Sequence, residues 1–164
     1  MKKAILISIR PEGVKKIIDG EKIIEIRKIV PKCELPIDVY IYCTKGRYEL
    51  YMDTLYHCAG FLKCSPYDEL LNGKVVAKFT LKKTVPIHMQ MGIPNGYGDN
   101  GYIGYAYCEE DDFRWWYEVI GKACLREDEL CKYLNGGKTL KQVATGNLKA
   151  KTGYAWHIST QKVF

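Results

Sequence analysis

The chain has 164 residues, of which 47% are hydrophobic and 27% are charged. This composition is that of a globular protein with a sizeable core, and it excludes a disordered tail, a collagen and a long coiled coil. Lys and Arg number 25 against 19 Asp and Glu, a net charge of +6. Such a charge suits a polyanion such as a nucleic acid, although a soluble protein with ordinary surface lysines is the more common explanation of it. No apolar run approaches the roughly 20 residues of a membrane-spanning helix, so no membrane partner is expected.

The first part of the chain predicts a strand, a short helix and a second strand. Residues 4–10 alternate between apolar and polar positions, as a strand with one buried face does. Pro11 is favoured at the first position of a helix, and Gly20 fits the end of one. Residues 22–28 alternate again and predict the second strand. Because the N-terminus enters this pattern without a small-residue cleavage site, we interpret it as a strand of a cytoplasmic protein and not as a signal peptide.

Two further strands are predicted in the middle of the chain. They span residues 37–43 and 74–82, and the second follows the turn signal Asn72-Gly73. The stretch between these strands, residues 48–71, is predicted to be an insertion that contains some helix.

The second half of the chain is less regular. Residues 92–108 predict a loop with a short strand, and residues 113–120 predict a strand or a core-facing segment. A helix over 126–134 and a final strand over 154–163 follow. Short strands, few helices and no βαβ alternation predict an α+β fold, a small and partly open β-barrel with short flanking helices. Four tyrosines interleaved with glycines either stack nucleic-acid bases or fill the core: Tyr97, Tyr102, Tyr105 and Tyr107.

The cysteines predict free thiols and no cofactor. There are seven, an odd number with scattered spacing, which fits a reducing cytoplasm better than a disulfide framework. His57, Cys58 and Cys64 lie close in sequence, but their spacing matches no zinc-binding pattern. We therefore expect neither a metal nor another cofactor.

The segment from Gly20 to Arg27 carries the most informative chemistry. Glu25 and Arg27 are two residues apart on a predicted strand and so share a face, with Lys22 at the start of that strand. Arg27 offers a rigid fork for a phosphate or carboxylate, and Lys22, near another cation, is a candidate base or nucleophile. The alternative is a surface ladder of ion pairs that contributes at most about 1 kcal/mol.

This segment and its surroundings resemble a known family. The pattern is a strand with Ser and a basic residue before Pro, then a helix, then G-x-K-x-x-E-x-R. Its members here are Ser8, Arg10, Pro11, Gly20, Lys22, Glu25 and Arg27. Residues 40–44, 73–79 and 153–159 continue the match. The chain therefore resembles the ASCH (activating signal cointegrator homology) domain, in the form of its bacterial and phage-borne members.

The resemblance implies a PUA-like α+β barrel. It implies one domain over residues 1–164, with insertions at about 48–71 and 84–112 that the family pattern does not explain.

The resemblance also implies a basic cleft that binds RNA or a nucleotide-like ligand. Arg10 and Arg27 would hold phosphate, Lys22 would add charge or act on the ligand, and Glu25 would orient Lys22 or accept a hydrogen bond from a base. The expected binding residues are Ser8, Arg10, Gly20, Lys22, Glu25, Arg27, Thr44, Lys45 and His157, with Arg47 as a further phosphate contact. Residues 133–164 contain no Asp or Glu, and their lysines, including Lys149 and Lys151, would extend the positive track. RNA, DNA and a free nucleoside all remain open as ligands, and so does the oligomeric state.

Two alternatives stand beside the binding module. One branch of the family hydrolyses N4-acetylcytidine with a Lys nucleophile that Lys22 matches, so the chain would be a small amidohydrolase acting through Lys22 and Glu25. That branch carries a Thr where this sequence has Glu25. The other alternative is a scaffold or regulatory domain with no ligand in the cleft.

Overall fold

The structure is a computed structural model that describes residues 3–91, 103–109, 112–114, 116–146 and 150–164. The predicted tyrosine cluster and Lys149 lie outside the residues whose side chains are described. The strands are β1 (Ala4–Ile9), β2 (Ile24–Arg27), β3 (Ile37–Cys43), β4 (Tyr51–Met52), β5 (Ala59–Gly60), β6 (Glu69–Leu70), β7 (Val75–Met91), β8 (Ile103–Glu109), β9 (Asp112–Arg114) and β10 (Gly153–Val163). The helices are α1 (Pro11–Ile18), α2 (Trp116–Ala123), α3 (Glu127–Leu134) and α4 (Leu140–Thr145).

The described chain divides into two compact units. Unit 1 contains the residues up to Ile23, Lys32–Lys83 and His157–Phe164. Unit 2 contains Ile24–Pro31 and the described residues of Thr84–Trp156. The long strands β7 and β10 each contribute one part to either unit. The hydrogen-bonded order of the large sheet is β1-β3-β7-β10-β2, with β8 paired to β7 and β9 paired to β8.

Unit 1 is built on a parallel pair of strands. β1 and β3 run parallel, with Ile7 opposite Ile41, and β3 pairs with β7 in the antiparallel sense. The apolar residues of β3 alternate with partly exposed ones, as the sequence predicts for a strand with one buried face. Helix α1 buries Val14 and Ile17. The predicted strands over 4–10 and 37–43 and the helix that begins at Pro11 are therefore confirmed.

The segment over residues 48–71, for which we keep the name insertion, differs from its prediction in secondary structure. It forms a three-stranded sheet in the order β5-β4-β6, and it contains no helix, so the predicted helical content is wrong. The reason is local. The Asp53 carboxylate accepts hydrogen bonds from the backbone N–H groups of Leu55 and Tyr56, and the Asp68 carboxylate accepts them from Cys64 and Ser65. Side chains that bind nearby backbone N–H groups stabilise turns in competition with helix.

Unit 2 has a separate apolar core under its helices. It joins the strand residues Ile24, Ile26 and Ile87 to buried residues of α2, α3 and α4. The predicted helix over 126–134 is confirmed as α3, and the predicted strands over 74–82 and 154–163 are confirmed within β7 and β10. The second predicted strand is shorter than expected, Ile24–Arg27.

The strand predicted over residues 113–120 is confirmed only for its first two residues, whereas the alternative of a core-facing segment is confirmed at its end, where Val119 and Ile120 are buried. Strand β9 ends at Arg114 and helix α2 begins at Trp116. Val119, Ile120 and Ala123 are buried, which is the spacing of one helical face. The predicted window ended before Ala123 and so contained too little of this pattern to favour a helix.

The predicted α+β class is confirmed by these elements. Within the described part of the chain, no helix is both long and apolar enough to cross a bilayer. Six cysteines with described side chains are free thiols, and Cys43 and Cys131 are the buried ones among them.

Candidate functional site

The parallel pairing of β1 and β3 brings two predicted binding residues to one edge of the sheet in unit 1. Ile9 lies opposite Cys43 in the register, so Arg10 and Thr44 both leave the sheet at the same end. The Thr44 N–H donates a hydrogen bond of 2.9 Å to the Ile9 carbonyl, which fixes the two chain segments together. Both are predicted binding residues, but no sequence pattern indicates that they are neighbours.

Helix α1 begins at this edge and is crossed by the loop that follows β3. Arg10 is the N-cap of α1, with an extended backbone, and Pro11 is the first helical residue. A Cβ added at Gly46 would lie 2.9 Å from the Pro11 Cδ, so the loop approaches the helix as closely as glycine allows. Arg10, Lys45 and Arg47 are all exposed here.

Asn72 holds the loop after β3 in place. Its amide Nδ2 donates to the Tyr48 carbonyl at 2.9 Å, and its Oδ1 accepts from the Leu50 N–H at 2.7 Å. A Cβ at the neighbouring Gly73 would lie 3.4 Å from the Lys45 Cε, so the Lys45 side chain passes over this turn. Asn72 was predicted only as a turn residue. Its positioning role depends on contacts 22 and 24 residues away, which the Asn-Gly signal does not reveal.

The turn between α1 and β2 places Lys22 in a buried position. Gly20 adopts a φ of +77°, and the Lys22 N–H donates to the Lys16 carbonyl at 2.9 Å, which ends the helix as predicted. Only 8% of Lys22 is exposed. The predicted strand start at this residue is wrong: the strand begins at Ile24, and Lys22 is a buried residue between two exposed ones in the connection before it.

Ser8 and His157 lie within the sheet residues of unit 1. Ser8 is exposed on β1, opposite Tyr42. His157 is partly buried on β10, and the N–H of the next residue, Ile158, donates to the Ile23 carbonyl at 3.0 Å. This hydrogen bond brings the backbone beside His157 next to the segment that carries Lys22.

Glu25 and Arg27 form an ion pair in unit 2. The Arg27 Nη2 lies 3.1 Å from the Glu25 Oε1, and the side chains are only 22% and 10% exposed. The shared face predicted from strand alternation is therefore confirmed, whereas the alternative of a surface ion-pair ladder is wrong. Burial removes the screening that makes exposed pairs weak.

Two residues that the sequence does not indicate, Lys28 and Tyr133, lie beside this ion pair. Arg27 donates a hydrogen bond to the Tyr133 side chain, and the Lys28 Nζ lies 4.9 Å from the centre of the Tyr133 ring. Burial raises the pKa of the Tyr133 hydroxyl, and the positive charge of Arg27 offsets part of that rise. Tyr133 lies in the last turn of α3. Its contact with β2 spans about a hundred residues, and no local pattern signals it.

Among the side chains that the structure describes, no three His, Cys, Asp or Glu residues come together in a way that would hold a metal ion. Cys58 and Cys64 are exposed thiols in the insertion. The two nearby aspartates, Asp53 and Asp68, are occupied by the backbone turns described above.

Comparison with known proteins gives a likeness to solved structures alone. No family model matches the chain, and no curated protein matches it. The crystal structure of ASCH from Zymomonas mobilis matches with 17% identity and a TM-score of 0.49, covering 96% of this chain and 68% of that one. A single-residue mutant of the same ASCH protein matches with 16% identity, a TM-score of 0.49 and coverage of 96% and 70%. Likeness at this level assigns neither an activity nor binding residues to the chain.

Proposed function

We propose that this protein binds RNA or a nucleotide-like ligand through its phosphate groups. The observation that supports the proposal best is the edge of unit 1 where β1 and β3 end and α1 begins. Arg10, Lys45 and Arg47 are exposed there, and Asn72 fixes the loop that carries the last two. Exposed cations on a fixed backbone favour phosphate binding, because little conformational entropy is lost when the ligand binds.

The other predicted binding residues take different roles in this proposal. Ser8 and His157 offer hydrogen-bonding groups in unit 1, and Gly20 supplies the left-handed turn that precedes the buried Lys22. In unit 2 the Glu25–Arg27 pair is a fixed donor and acceptor of hydrogen bonds, and not a freely mobile phosphate clamp.

Salt-dependent RNA binding tests the proposal. Affinity for a labelled single strand of about ten nucleotides should fall steeply with salt, and each lost phosphate contact should reduce the slope of log affinity against log salt by about 0.7. Arg10→Ala and Lys45→Ala should each show this reduction. Lys82→Ala, which removes an exposed cation from β7 in the same unit, is the matched control and should leave the slope unchanged. Equal losses in all three variants, or no binding by the wild type at low salt, would refute a phosphate site at this edge.

The burial of Lys22 favours a second candidate function, hydrolysis of an acylated nucleoside. A lysine that is 8% exposed is shielded from bulk water, which is the environment in which a lysine amine serves as a nucleophile. In this candidate the Lys22 amine attacks the acyl carbonyl, the bond from that carbonyl to the nucleoside nitrogen breaks, and the nucleoside leaves with a proton. Water then hydrolyses the acyl-lysine, which releases a carboxylate and restores the Lys22 amine.

N4-acetylcytidine is the substrate that tests this candidate. Release of cytidine and acetate by the wild type should be abolished in Lys22→Arg, because an arginine stays protonated and is not a nucleophile. A binding module without this activity would produce no cytidine, and Lys22→Arg would retain its RNA affinity.

A further inference from the structure

The insertion at 48–71 presents aromatic rings to solvent beside an arginine. The Arg47 Cζ lies 5.7 Å from the centre of the Tyr48 ring, and the Tyr48 and Phe61 rings are 5.9 Å apart at an angle of 54°. Tyr48 is 47% exposed and Phe61 is 39% exposed. We call Arg47, Tyr48 and Phe61 the aromatic strip.

The aromatic strip stands on an ordered backbone. Asn72 holds the Tyr48 carbonyl, as described above. Phe61 directly follows β5, whose Gly60 pairs with Tyr51 of β4. The backbone that carries the exposed rings is therefore held in place before any partner arrives, which lowers the entropic cost of binding to them.

The surroundings of the strip identify the chemistry of its partner. Lys45 lies two residues before Arg47 in the loop that Asn72 fixes, so exposed cations and exposed rings adjoin along a short stretch of chain. Cations bind phosphates, and aromatic rings stack on bases of any identity. A duplex keeps its bases stacked inside, so only a strand with unpaired bases uses both kinds of group.

We propose that the aromatic strip stacks unpaired bases of a single-stranded nucleic acid whose phosphates contact the cations beside it. This proposal rests on the proposed phosphate binding and adds to it the class of ligand and the residues that select it. A protein partner is the competing occupant, because Leu62 is 78% exposed in the same insertion. The two exposed cations Lys45 and Arg47 beside the rings favour the nucleic acid, because its phosphate backbone is uniformly anionic.

Three probes separate base stacking from phosphate binding. They are a single-stranded RNA of about ten nucleotides, an abasic strand of the same length, and an RNA duplex. The wild type should bind the first at least about 10-fold more tightly than the other two, since stacking on one ring contributes roughly this factor per base. Tyr48→Ala and Phe61→Ala, singly and together, should lose about 10-fold per ring for the single strand and nothing for the abasic strand. Tyr48→Phe keeps a ring and should retain the affinity.

Leu62→Ala is the matched control, because it removes an exposed apolar side chain that has no aromatic face. It should change the affinity less than twofold, and thermal melting should show that every variant is folded. If the wild type binds the abasic and the base-bearing strands equally, the stacking proposal fails while phosphate binding stands. If it binds neither strand, both proposals fail. If Leu62→Ala loses as much as the ring variants, the surface is a general apolar one that suits a protein partner.

Discussion

Two segments of the chain, Gly20–Arg27 and the insertion at 48–71, depart from the usual distribution of side chains in opposite ways. The first buries its charges: Lys22 is 8% exposed and Glu25 is 7% exposed. The second exposes its apolar groups, with Tyr56 80% exposed and Leu62 78% exposed. Burying a charge costs free energy unless it is paired, and exposing an apolar ring forgoes the gain from burial. Glu25 is paired with Arg27, so its burial is compensated, whereas the exposed apolar groups of the insertion give up stability. A ligand-binding role is a physical reason for that exposure.

The largest effect in this comparison is expected when the buried pair is broken. Glu25→Gln removes the carboxylate that faces Arg27 and leaves a guanidinium in a site where water screens it poorly. We expect a loss of about 3 kcal/mol in the free energy of unfolding, measured by urea denaturation at neutral pH.

The matched control for this prediction is Glu69→Gln. It breaks the exposed pair of Glu69 and Lys74 in unit 1, whose side chains are 54% and 49% exposed and whose atoms are 2.8 Å apart. An exposed pair contributes at most about 1 kcal/mol. Equal losses in the two variants would show that burial does not strengthen the Glu25–Arg27 pair.

A buried thiol provides the second test of the contrast between burial and exposure. Burial raises the pKa of Cys43 on β3 from 9.0 to about 11, and the negative charge of Glu12 adds to the rise. Because the folded state holds this proton more tightly than the unfolded state, the stabilisation is complete below pH 9. It is lost as the pH rises towards 11, by about 2 kcal/mol.

Urea denaturation from pH 8 to pH 11 measures this effect as a slope. Cys43→Ala should have a flatter slope than the wild type across this range, even though the substitution itself lowers stability at pH 8. Cys64→Ala removes an exposed thiol of the insertion and should keep the wild-type slope. Identical slopes in all three proteins would contradict a titrating Cys43.

The sequence alone predicts which residues share a face, but not how deeply they are buried. Strand alternation is a local property, and it correctly placed Glu25 and Arg27 side by side. The burial of β2 comes from helices α2 and α3, about a hundred residues further along the chain, whose apolar residues join Ile24 and Ile26 in one core. The hydrogen bond from Arg27 to Tyr133 likewise joins β2 to helix α3, about a hundred residues further along the chain. Contacts at this separation leave no periodic signal in the sequence.

The wrong predictions have local causes that the sequence does contain. The turns at Asp53 and Asp68 arise from carboxylates that accept backbone hydrogen bonds two to four residues away, a pattern that competes with helix. Helix α4, which was not predicted, begins with a capping box in which Thr139 and Gln142 bind each other's backbone N–H groups. Both signals are polar and local, so the apolar periodicity of the sequence does not contain them.

Replacing a glycine that has a positive φ should lower stability by a smaller amount, and by the same amount in the two segments. Gly20 has a φ of +77° and Gly73, just after the insertion, has a φ of +80°. A Cβ at Gly20 would meet nothing within 4 Å, and one at Gly73 would make only ordinary contacts. Alanine at either position should therefore cost about 1 kcal/mol of stability from backbone strain alone.

Gly121→Ala is the control for these glycines, because Gly121 lies in helix α2 with open space around it. Alanine is favoured over glycine within a helix, so this variant should gain about 0.5 to 1 kcal/mol. Urea denaturation of the three variants measures these changes in the free energy of unfolding. A loss well above 2 kcal/mol at Gly73 would mean that the Lys45 loop cannot adjust.

The smallest effect on stability is expected at the exposed leucines of the insertion. Leu55 is 72% exposed and Leu62 is 78% exposed, so Leu55→Ser and Leu62→Ser remove little buried area and should change the free energy of unfolding by less than about 0.5 kcal/mol. Leu50→Ala, at a fully buried position just before β4, should cost about 3 kcal/mol in the same urea experiment. If the serine variants lost as much as Leu50→Ala, these leucines would be covered in solution. The insertion would then be an interface between copies of the chain, and sedimentation at several protein concentrations would reveal it.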